Sequence, residues 1–225
     1  MNDFLTVIGA GLAGSEAAWQ AAERGVKVVL YEMRPVVRNP VHKTENCAEL
    51  VCSNSLGNNF PHSAPFILKE ELRSFNSIII ASGDKNSVPA GSALAVDRDL
   101  FSQEITEKLA NHPNITIKRE EVVDIPQEDP VIIATGPLTS PKLSEQISKL
   151  IGQEYLYFYD ALSPIVNADS IDYDKAFFAS RYDKGDADYL NCPMSEEQYY
   201  TFIRELKAAE KMEFATFEKP AYFEG

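Results

Sequence analysis

The segment "TVIGAGLAG", residues 6–14, decides the fold class of this chain. Its three glycines, Gly9, Gly11 and Gly14, have the G-x-G-x-x-G spacing, and an alanine-rich stretch follows them. The first glycine permits a tight turn, the second lets the backbone approach a pyrophosphate, and the third lets a helix pack closely on a strand. The pattern therefore predicts a strand, a glycine turn and a helix whose N-terminus faces the phosphates of a dinucleotide.

Two apolar runs flank this helix, which we expect over Leu12 to Arg24 with Gly25 at its end. Residues 4–8, "FLTVI", and residues 26–32, "VKVVLYE", are typical of buried strands. The three elements form a βαβ unit, which requires parallel strands and a right-handed crossover. Glu32 ends the second strand, where a carboxylate binds the ribose hydroxyls and disfavours a 2′-phosphate, so the spacing predicts FAD or NAD rather than NADP.

A later apolar strand, "PVIIATG" at residues 130–136, favours FAD. In flavoprotein folds resembling glutathione reductase, a strand ending A-T-G lies against the cofactor, and the strand before it contacts the adenine. We therefore predict that Thr135, Gly136 and Val122, the last in "EEVVDI", contact FAD. The predicted fold class is α/β, with an FAD-binding Rossmann-like domain of the glutathione-reductase type.

Helical and irregular patterns occupy the rest of the chain. Residues 33–64 lack periodicity and contain several prolines, asparagines and histidines, so we expect a ligand-binding loop. Asp97 is the expected N-cap of a helix over residues 98–112. The apolar face of that helix is expected to contain Leu100, Phe101, Ile105 and Leu109. Further helices are predicted over residues 65–75, 138–151 and 195–212, the last with a capping box, and two short strands within residues 114–125.

A change of character near residues 138–155 suggests a domain boundary, and we predict domains over residues 1–145 and 146–225. The aromatic cluster at residues 155–159, "YLYFY", is either strand core or a surface on which a base or folate stacks.

Composition excludes several classes of function. The chain has 21 basic and 34 acidic residues, a net charge of −13, which argues against non-specific binding of nucleic acid or anionic membranes over the whole surface. No run approaches the roughly eighteen apolar residues of a membrane helix, and the N-terminus lacks the pattern of a signal peptide. The three cysteines are too few and too odd in number for a disulfide framework, which predicts a reducing cytoplasm.

The segment "TENCAELVCSNSLGN", residues 44–58, places two of these cysteines in the expected loop. Its second cysteine, Cys52, is open to three interpretations: a reactive thiol, a metal ligand or an inert core residue. A zinc site would draw on Cys47, Cys52, His42 and His62. Their spacing matches no usual structural zinc site, so we predict no metal. Cys192, which precedes a proline in "NCPM", is expected to pack rather than react.

Several blocks together are specific to one family. They are "EMRP", "AELVCSNSL", "ATGPLTS", "LYFYDALSPIV", "NCPM" and "FEKPAYFEG". Across essentially its whole length the chain resembles the folate- and FAD-dependent tRNA (uracil-5-)-methyltransferases. The resemblance implies that 5,10-methylenetetrahydrofolate donates a one-carbon unit, that FAD carries and reduces it with electrons from NAD(P)H, and that a T-loop uridine of tRNA becomes ribothymidine. It also implies a smaller α+β substrate domain inserted into the FAD-binding domain.

The resemblance also assigns roles to residues. Cys52 matches the first of two functional cysteines, and a thiolate suits this chemistry because its addition to C6 of uracil makes C5 nucleophilic. The second cysteine follows a "FEG" block, at which this chain ends, and family members are much longer. The chain is therefore expected to be a fragment or a truncated relative, with the C-terminal part of the fold missing. Arg34 is an implied FAD contact, and the implied substrate contacts are Asn54, Ser55, Arg181, Tyr182 and Lys184.

Three alternatives stay open. The "RYDKG" segment, residues 181–185, is either a contact for tRNA or folate or an ordinary polar turn. An FAD-dependent oxidoreductase acting on a small molecule would turn over NAD(P)H without binding tRNA. A non-catalytic remnant would bind FAD or RNA without transferring a methyl group.

Overall fold

The protein is described here by a computed structural model. It describes residues 4–39, 41–127, 130–152, 166–181 and 184–210. The chain divides into two compact units, residues 1–163 and 164–225. The domain limits predicted at residues 145 and 146 stay a prediction. The aromatic cluster at residues 155–159 and Tyr182 lie outside the described residues.

The strands, in chain order, are β1 (Phe4–Ile8), β2 (Lys27–Tyr31), β3 (Ser55–Asn58), β4 (Ser87–Val88), β5 (Ala93–Val96), β6 (Ile115–Lys118), β7 (Val131–Ile133), β8 (Phe177–Arg181) and β9 (Lys184–Asn191). The helices are α1 (Leu12–Glu23), α2 (Ala64–Ser74), α3 (Ile78–Lys85), α4 (Arg98–Asn111), α5 (Pro141–Ile151) and α6 (Glu196–Ala208), with 3₁₀ turns at Gly136–Leu138 and Ala168–Ser170. Among the described residues, none of these helices is long and apolar enough to cross a membrane.

A parallel sheet with the strand order β6-β2-β1-β7 forms the centre of the first unit. In its register, Val7 lies between Leu30 of one neighbouring strand and Ile132 of the other. Helix α1 connects β1 to β2, so the predicted βαβ unit and the α/β fold class are confirmed. Parallel pairing brings the carboxyl ends of all four strands to one edge of the sheet, where ligands bind in folds of this kind.

A small antiparallel sheet, β3-β5-β4, shares no strand with the parallel sheet and was not predicted. Its strands are two to four residues long, too short for an alternating pattern to be recognised. Helix α3 was also missed; its N-cap Ser77 accepts a hydrogen bond from the backbone N–H of Ile80. The segment of residues 33–64, which we expected to be an irregular loop, is irregular only up to β3, which interrupts it at Ser55–Asn58.

The core of the first unit includes the inner face of α4. Phe101, Ile105 and Leu109 are fully buried there, and Asp97 caps the helix as predicted by accepting from the N–H groups of its first turn. The expected place of Leu100 on this face was wrong, because that side chain is 54% exposed. Successive helical residues differ in direction by about 100°, so the burial of Phe101 turns its neighbour towards solvent.

Three predicted boundaries were also wrong. Of the two strands expected in residues 114–125, only β6 forms, because its partner β2 ends at Tyr31 and leaves "EEVVDI" without a strand to pair with. The helix expected from residue 138 begins at Pro141, since proline suits the first helical position. Helix α6 ends at Ala208 rather than near residue 212.

The second unit contains an antiparallel hairpin of β8 and β9, followed by α6. The predicted capping box is confirmed: Ser195 Oγ accepts from the N–H of Gln198, whose side chain accepts from the N–H of Ser195. The hairpin was not predicted. Of the "RYDKG" segment, Arg181 is the last residue of β8 and Lys184 is the first residue of β9.

The contrast between Leu100 and Phe101 gives a test of this packing. Phe101→Ala removes a fully buried ring and should lower the free energy of unfolding by about 3–5 kcal/mol. The matched control Leu100→Ala removes a side chain that is mostly exposed and should cost less than about 1 kcal/mol. Urea denaturation followed by circular dichroism measures both values. Equal losses in the two variants would contradict the burial pattern of α4.

Candidate dinucleotide site

A cleft of about 560 Å³ of empty space, partly open to solvent, lies at the carboxyl ends of the parallel strands. It brings together six of the eight residues that the sequence predicted as cofactor contacts. These are Gly9, Gly11, Glu32, Arg34, Val122 and Thr135. The elements that position them follow four neighbouring strands, so sheet topology alone assembles residues that are more than a hundred positions apart in the chain.

The three glycines of the turn have distinct steric roles. Gly9 has φ = +97°, and a Cβ there would come within 2.7 Å of the carbonyl oxygen of Ala134. A Cβ on Gly14 would overlap the carbonyl oxygen of Gly9, which shows how closely α1 packs on the turn. A Cβ on Gly11 would enter open space with no atom within 4 Å. Because Gly11 lines the cleft, this space is a cradle that a ligand can fill.

Glu32 joins the end of β2 to the glycine turn. Its carboxylate accepts hydrogen bonds from the backbone N–H of Ala10 at 3.1 Å and from the backbone N–H and Nε of Arg34 at 3.1 and 2.8 Å. Burial alone would raise the pKa of the Glu32 carboxyl, but the hydrogen bond and charge of Arg34 outweigh it and hold the pKa below its ordinary value. Glu32 is therefore ionised at neutral pH and fixes the turn from the side of the cleft.

Arg34 is 3% exposed and lies between two carboxylates. Its Nε bonds Glu32 and its Nη1 bonds Glu49 at 2.7 Å. The guanidinium also donates to the backbone carbonyls of Thr44 and Asn46. A buried ion needs such complete hydrogen bonding to offset its desolvation. The side chain thus holds the loop of residues 44–49 against the end of β2, and its predicted contact with FAD stays a prediction.

The same loop is attached to the glycine turn and to α4. The N–H of Ala48 donates to the carbonyl of Ala10 at 2.8 Å, and the N–H of Cys47 donates to Thr106 Oγ1 at 2.8 Å. Cys47 is fully buried, and burial raises the pKa of its thiol despite the nearby charge of Arg119. Cys47 therefore packs as a small apolar residue.

Cys52 is a free, half-buried thiol outside the wall of the cleft. It lies between two attached points of the chain: Ala48 on the glycine turn, and Asn54, whose side chain donates to the carbonyl of Val96 at 3.1 Å. Four residues span at most about 14 Å, which limits the distance of Cys52 from Ala48. Its catalytic role stays a prediction.

The predicted substrate contacts are more dispersed. Asn54 and Ser55 are close to Cys52 in the chain, and both side chains already have hydrogen-bond partners within the protein. Asn54 donates to the carbonyl of Val96, and Ser55 Oγ accepts from the N–H of Gly57. Arg181 and Lys184 belong to the second unit. Their roles stay predictions.

Gly14 and Gly136 are the two predicted cofactor residues that do not line the cleft. Gly14 lies beneath the turn, and Gly136, with φ = +61°, begins the 3₁₀ turn after β7. Within the described part of the chain, no three His, Cys, Asp or Glu side chains cluster as metal ligands do. His42, one of the candidate zinc ligands, instead bonds Asn39 through its Nδ1.

Comparison with known proteins decides the family. The model of the family described as glucose inhibited division protein A matches residues 5–225. The chain belongs to this family. A crystal structure of GidA from Aquifex aeolicus is 21% identical, with a TM-score of 0.48, over 60% of this chain and 25% of that one.

Family members of much higher identity carry a more specific name. Proteins called methylenetetrahydrofolate–tRNA-(uracil-5-)-methyltransferase TrmFO are 61% identical in Listeria innocua, 60% in Enterococcus faecalis and 58% in Bacillus pumilus, each over all 225 residues of this chain. The chain spans about half the length of these relatives, 52% in each case.

Sequence reasoning missed several residues of the site. The partners of Arg34 and the contacts of Ala10 could not be found, because they depend on how the loop folds back. Asn39, His42 and Ser140 also line the cleft. Only Ser140 had a signal: it belongs to the "ATGPLTS" block and directly precedes a proline, as N-cap residues often do.

Two glycine substitutions separate folding from binding. Gly14→Ala should lower the free energy of unfolding by about 1–3 kcal/mol, because its Cβ overlaps the backbone of Gly9. Gly11→Ala should change it by less than about 1 kcal/mol yet weaken FAD binding, because its Cβ fills the cradle. Urea denaturation and flavin fluorescence titration measure the two effects. Unchanged FAD affinity in Gly11→Ala would argue against a pyrophosphate at this turn.

Arg34→Met should leave two buried carboxylates uncompensated and cost about 3–5 kcal/mol at neutral pH. In the unmodified protein the contribution of Glu32 is fully present above pH 4.5 and is lost as the pH falls through its lowered folded-state pKa. In the variant the charge and the side-chain hydrogen bond of residue 34 are lost, while the backbone hydrogen bonds from residues 10 and 34 remain, so the pKa of Glu32 should rise relative to the unmodified protein. Acidification should therefore narrow the difference in the free energy of unfolding between the two proteins. Urea denaturation at neutral pH and at a pH below 4.5 tests this.

Arg38→Met is the matched control, since the Arg38 side chain is 71% exposed and its ion pair with Glu45 spans 3.7 Å. It should change the free energy of unfolding by less than about 1 kcal/mol at either pH. A loss in Arg34→Met no larger than that of the control would show that the buried triad is unimportant.

Proposed function

We propose that the full-length protein transfers a one-carbon unit from 5,10-methylenetetrahydrofolate to C5 of a T-loop uridine in tRNA, with FAD as cofactor and NAD(P)H as reductant. The observation that carries this proposal is the 61% identity to the Listeria innocua methyltransferase over every residue of this chain. The cleft at the glycine turn supports it, because the first step of such chemistry requires a bound dinucleotide.

The residues of the cleft fit FAD. The open cradle over Gly11 and the N-terminus of α1 suit a pyrophosphate. Glu32 and Val122 lie on the side of β2 and β6, where the adenosine would bind, and Thr135 lies on the other side, after β7. When bound, FAD supplies the electrons that convert a methylene unit into a methyl group. The protein's own residues would hold the cofactor in place, since Glu32 and the loop that precedes Cys52 fix the glycine turn.

Cys52 is the proposed nucleophile towards uracil. Its thiolate adds to C6, which places the electron pair on an enolate whose C5 attacks the one-carbon unit. Loss of the C5 proton to a base expels the carrier from the one-carbon unit and leaves an exocyclic methylene at C5. Addition of a hydride to this methylene then forms the methyl group and expels the thiolate from C6, which restores the ring. The thiol must reach the base while staying close to the flavin, and its place between the anchored residues Ala48 and Asn54 suits this requirement.

Binding of tRNA by a chain with a net charge of −13 requires a local basic surface rather than the whole molecule. Arg181, Tyr182 and Lys184 are the proposed contacts in the second unit, with Asn54 and Ser55 nearer the thiol. The partners are then tRNA and folate, and the setting is the cytoplasm, where both substrates are found.

The test uses the full-length gene product and a tRNA transcript that lacks 5-methyluridine. Cys52→Ala should abolish methyl transfer, measured as 5-methyluridine by mass spectrometry of the digested tRNA, while flavin absorbance shows that FAD stays bound. Retained binding is expected because Cys52 lies outside the wall of the cleft. Cys192→Ala is the matched control. This thiol is exposed, so the expectation that it packs was wrong, but it has no part in the proposed chemistry and should be dispensable.

Three results would contradict the proposal. Full activity in Cys52→Ala would remove the thiol from the mechanism. Oxidation of NAD(P)H with a small molecule but no product in tRNA would favour an oxidoreductase. Flavin and tRNA binding without product, with every substrate present, would favour a non-catalytic protein.

A further inference from the structure

Ser140 has a buried hydroxyl with no hydrogen-bond partner in the described part of the chain. The residue is 7% exposed and lines the same cleft as Gly11 and Glu32. Leaving a buried donor unpaired costs free energy, and such groups in native proteins usually have an explanation. A hydroxyl that faces a ligand cleft is explained if the ligand is its partner.

The backbone around Ser140 adds further donors. Ser140 is the N-cap of α5, yet its side chain does not accept from the helix. The first N–H groups of an α-helix have no intrahelical partner, and Pro141 has none to offer, so the N–H groups of Lys142 and Leu143 are the first available. Leu143 also lines the cleft. One hydroxyl and two N–H groups therefore meet at this end of α5.

The other serine and aspartate caps in this chain behave differently. The N-cap side chains of α2, α3, α4 and α6 all accept from backbone N–H groups of their helices; they are Ser63, Ser77, Asp97 and Ser195. The N-cap of α1 is Gly11, which has no side chain. Among the α-helices in the described residues, α1 and α5 are thus without a side-chain cap, and both begin at the cleft.

Thr135, beside Ser140 in the cleft, is a hydrogen-bond acceptor towards a ligand, whereas Ser140 is a donor. Thr139 Oγ1 donates to the carbonyl of Gly136 at 2.8 Å and lies 2.6 Å from Thr135 Oγ1. Because Thr139 has only one proton, Thr135 must donate to Thr139. Thr135 therefore offers only lone pairs to the cleft, which suits a ligand hydroxyl, whereas Ser140 has a free proton, which suits an anion.

The order of the sheet separates these donors from the acidic side of the cleft. Glu120 and Glu121 follow β6, at one end of the order β6-β2-β1-β7, and Ser140 follows β7, at the other. The glycine turn after β1 lies between them. A dinucleotide whose ribose binds Glu32 and whose first phosphate binds at Gly11 would present its second phosphate on the β7 side.

We infer that Ser140 Oγ and the N–H groups of Lys142 and Leu143 bind the second, flavin-side phosphate of the dinucleotide. This inference rests on the proposed function, because it assumes that FAD is the ligand. Thr135 would then accept from a hydroxyl of the same ligand beyond that phosphate.

Binding of AMP and ADP tests the inference directly, since the two ligands differ by the phosphate in question. Isothermal titration calorimetry should show that Ser140→Ala lowers the affinity for ADP about ten-fold, the effect of one hydrogen bond to a charged group, and leaves the affinity for AMP unchanged. The affinity for FAD should fall by a similar factor. Ser148→Ala, a change of the same type on the far half of α5, is the matched control and should leave all three affinities unchanged.

Two further variants separate binding from a structural role. Ser140→Asp supplies a better helix cap but adds negative charge, so it should stabilise α5 and yet abolish the advantage of ADP over AMP. Ser140→Thr keeps the hydroxyl and should therefore keep the higher affinity for ADP than for AMP. Because Ser140 makes no capping bond, Ser140→Ala should also unfold at the same urea concentration as the unmodified protein without ligand.

The outcomes are distinct. Equal weakening of AMP and ADP by Ser140→Ala, or an undiminished preference for ADP in Ser140→Asp, would overturn the inference while the proposed function stands. Failure of the unmodified protein to bind AMP, ADP or FAD would overturn the proposed nucleotide site itself, and the inference with it.

Discussion

The carboxylate of Glu32 is the point at which the parallel sheet, the glycine turn and the irregular loop meet. It ends one strand, binds the N–H of Ala10 in the turn, and neutralises Arg34, which in turn binds Glu49 and two loop carbonyls. None of these groups is stable alone in a buried position, because each charge needs its partner to offset desolvation. This network therefore holds the loop against the glycine turn and the end of β2, beside the cleft.

Local signals explain why much of the fold could be predicted. The βαβ unit, the cap at Asp97 and the capping box at Ser195 depend on residues a few positions apart, so their sequence patterns are sufficient. The residues of the cleft could also be predicted, because parallel strands bring their carboxyl ends to one edge of the sheet regardless of the length of chain between them. Six predicted residues from widely separated segments therefore line one cleft.

The parts that could not be predicted depend on tertiary contacts. The strand expected in "EEVVDI" fails because β2 ends too early to pair with it, which no property of "EEVVDI" itself reveals. In the second sheet, β3 pairs with β5 across about forty positions, as between Ser55 and Ala95. The contact of Arg34 with a cofactor stays a prediction, and its bonds to the carbonyls of Thr44 and Asn46 could not be predicted because that loop has no regular pattern. The roles of side chains in irregular segments are thus the hardest to predict from the sequence.

The attachment of the 44–50 loop has a consequence for the order in which the chain folds. Cys47 binds α4 across 59 positions, and the carbonyl of Glu45 accepts from Arg119 across 74. Contacts of such sequence separation form late, because the chain must first close large loops. During synthesis, the segment that leads to Cys52 can therefore take its final place only after the chain past β6 has left the ribosome, and until then the thiol remains in a solvated, unstructured stretch.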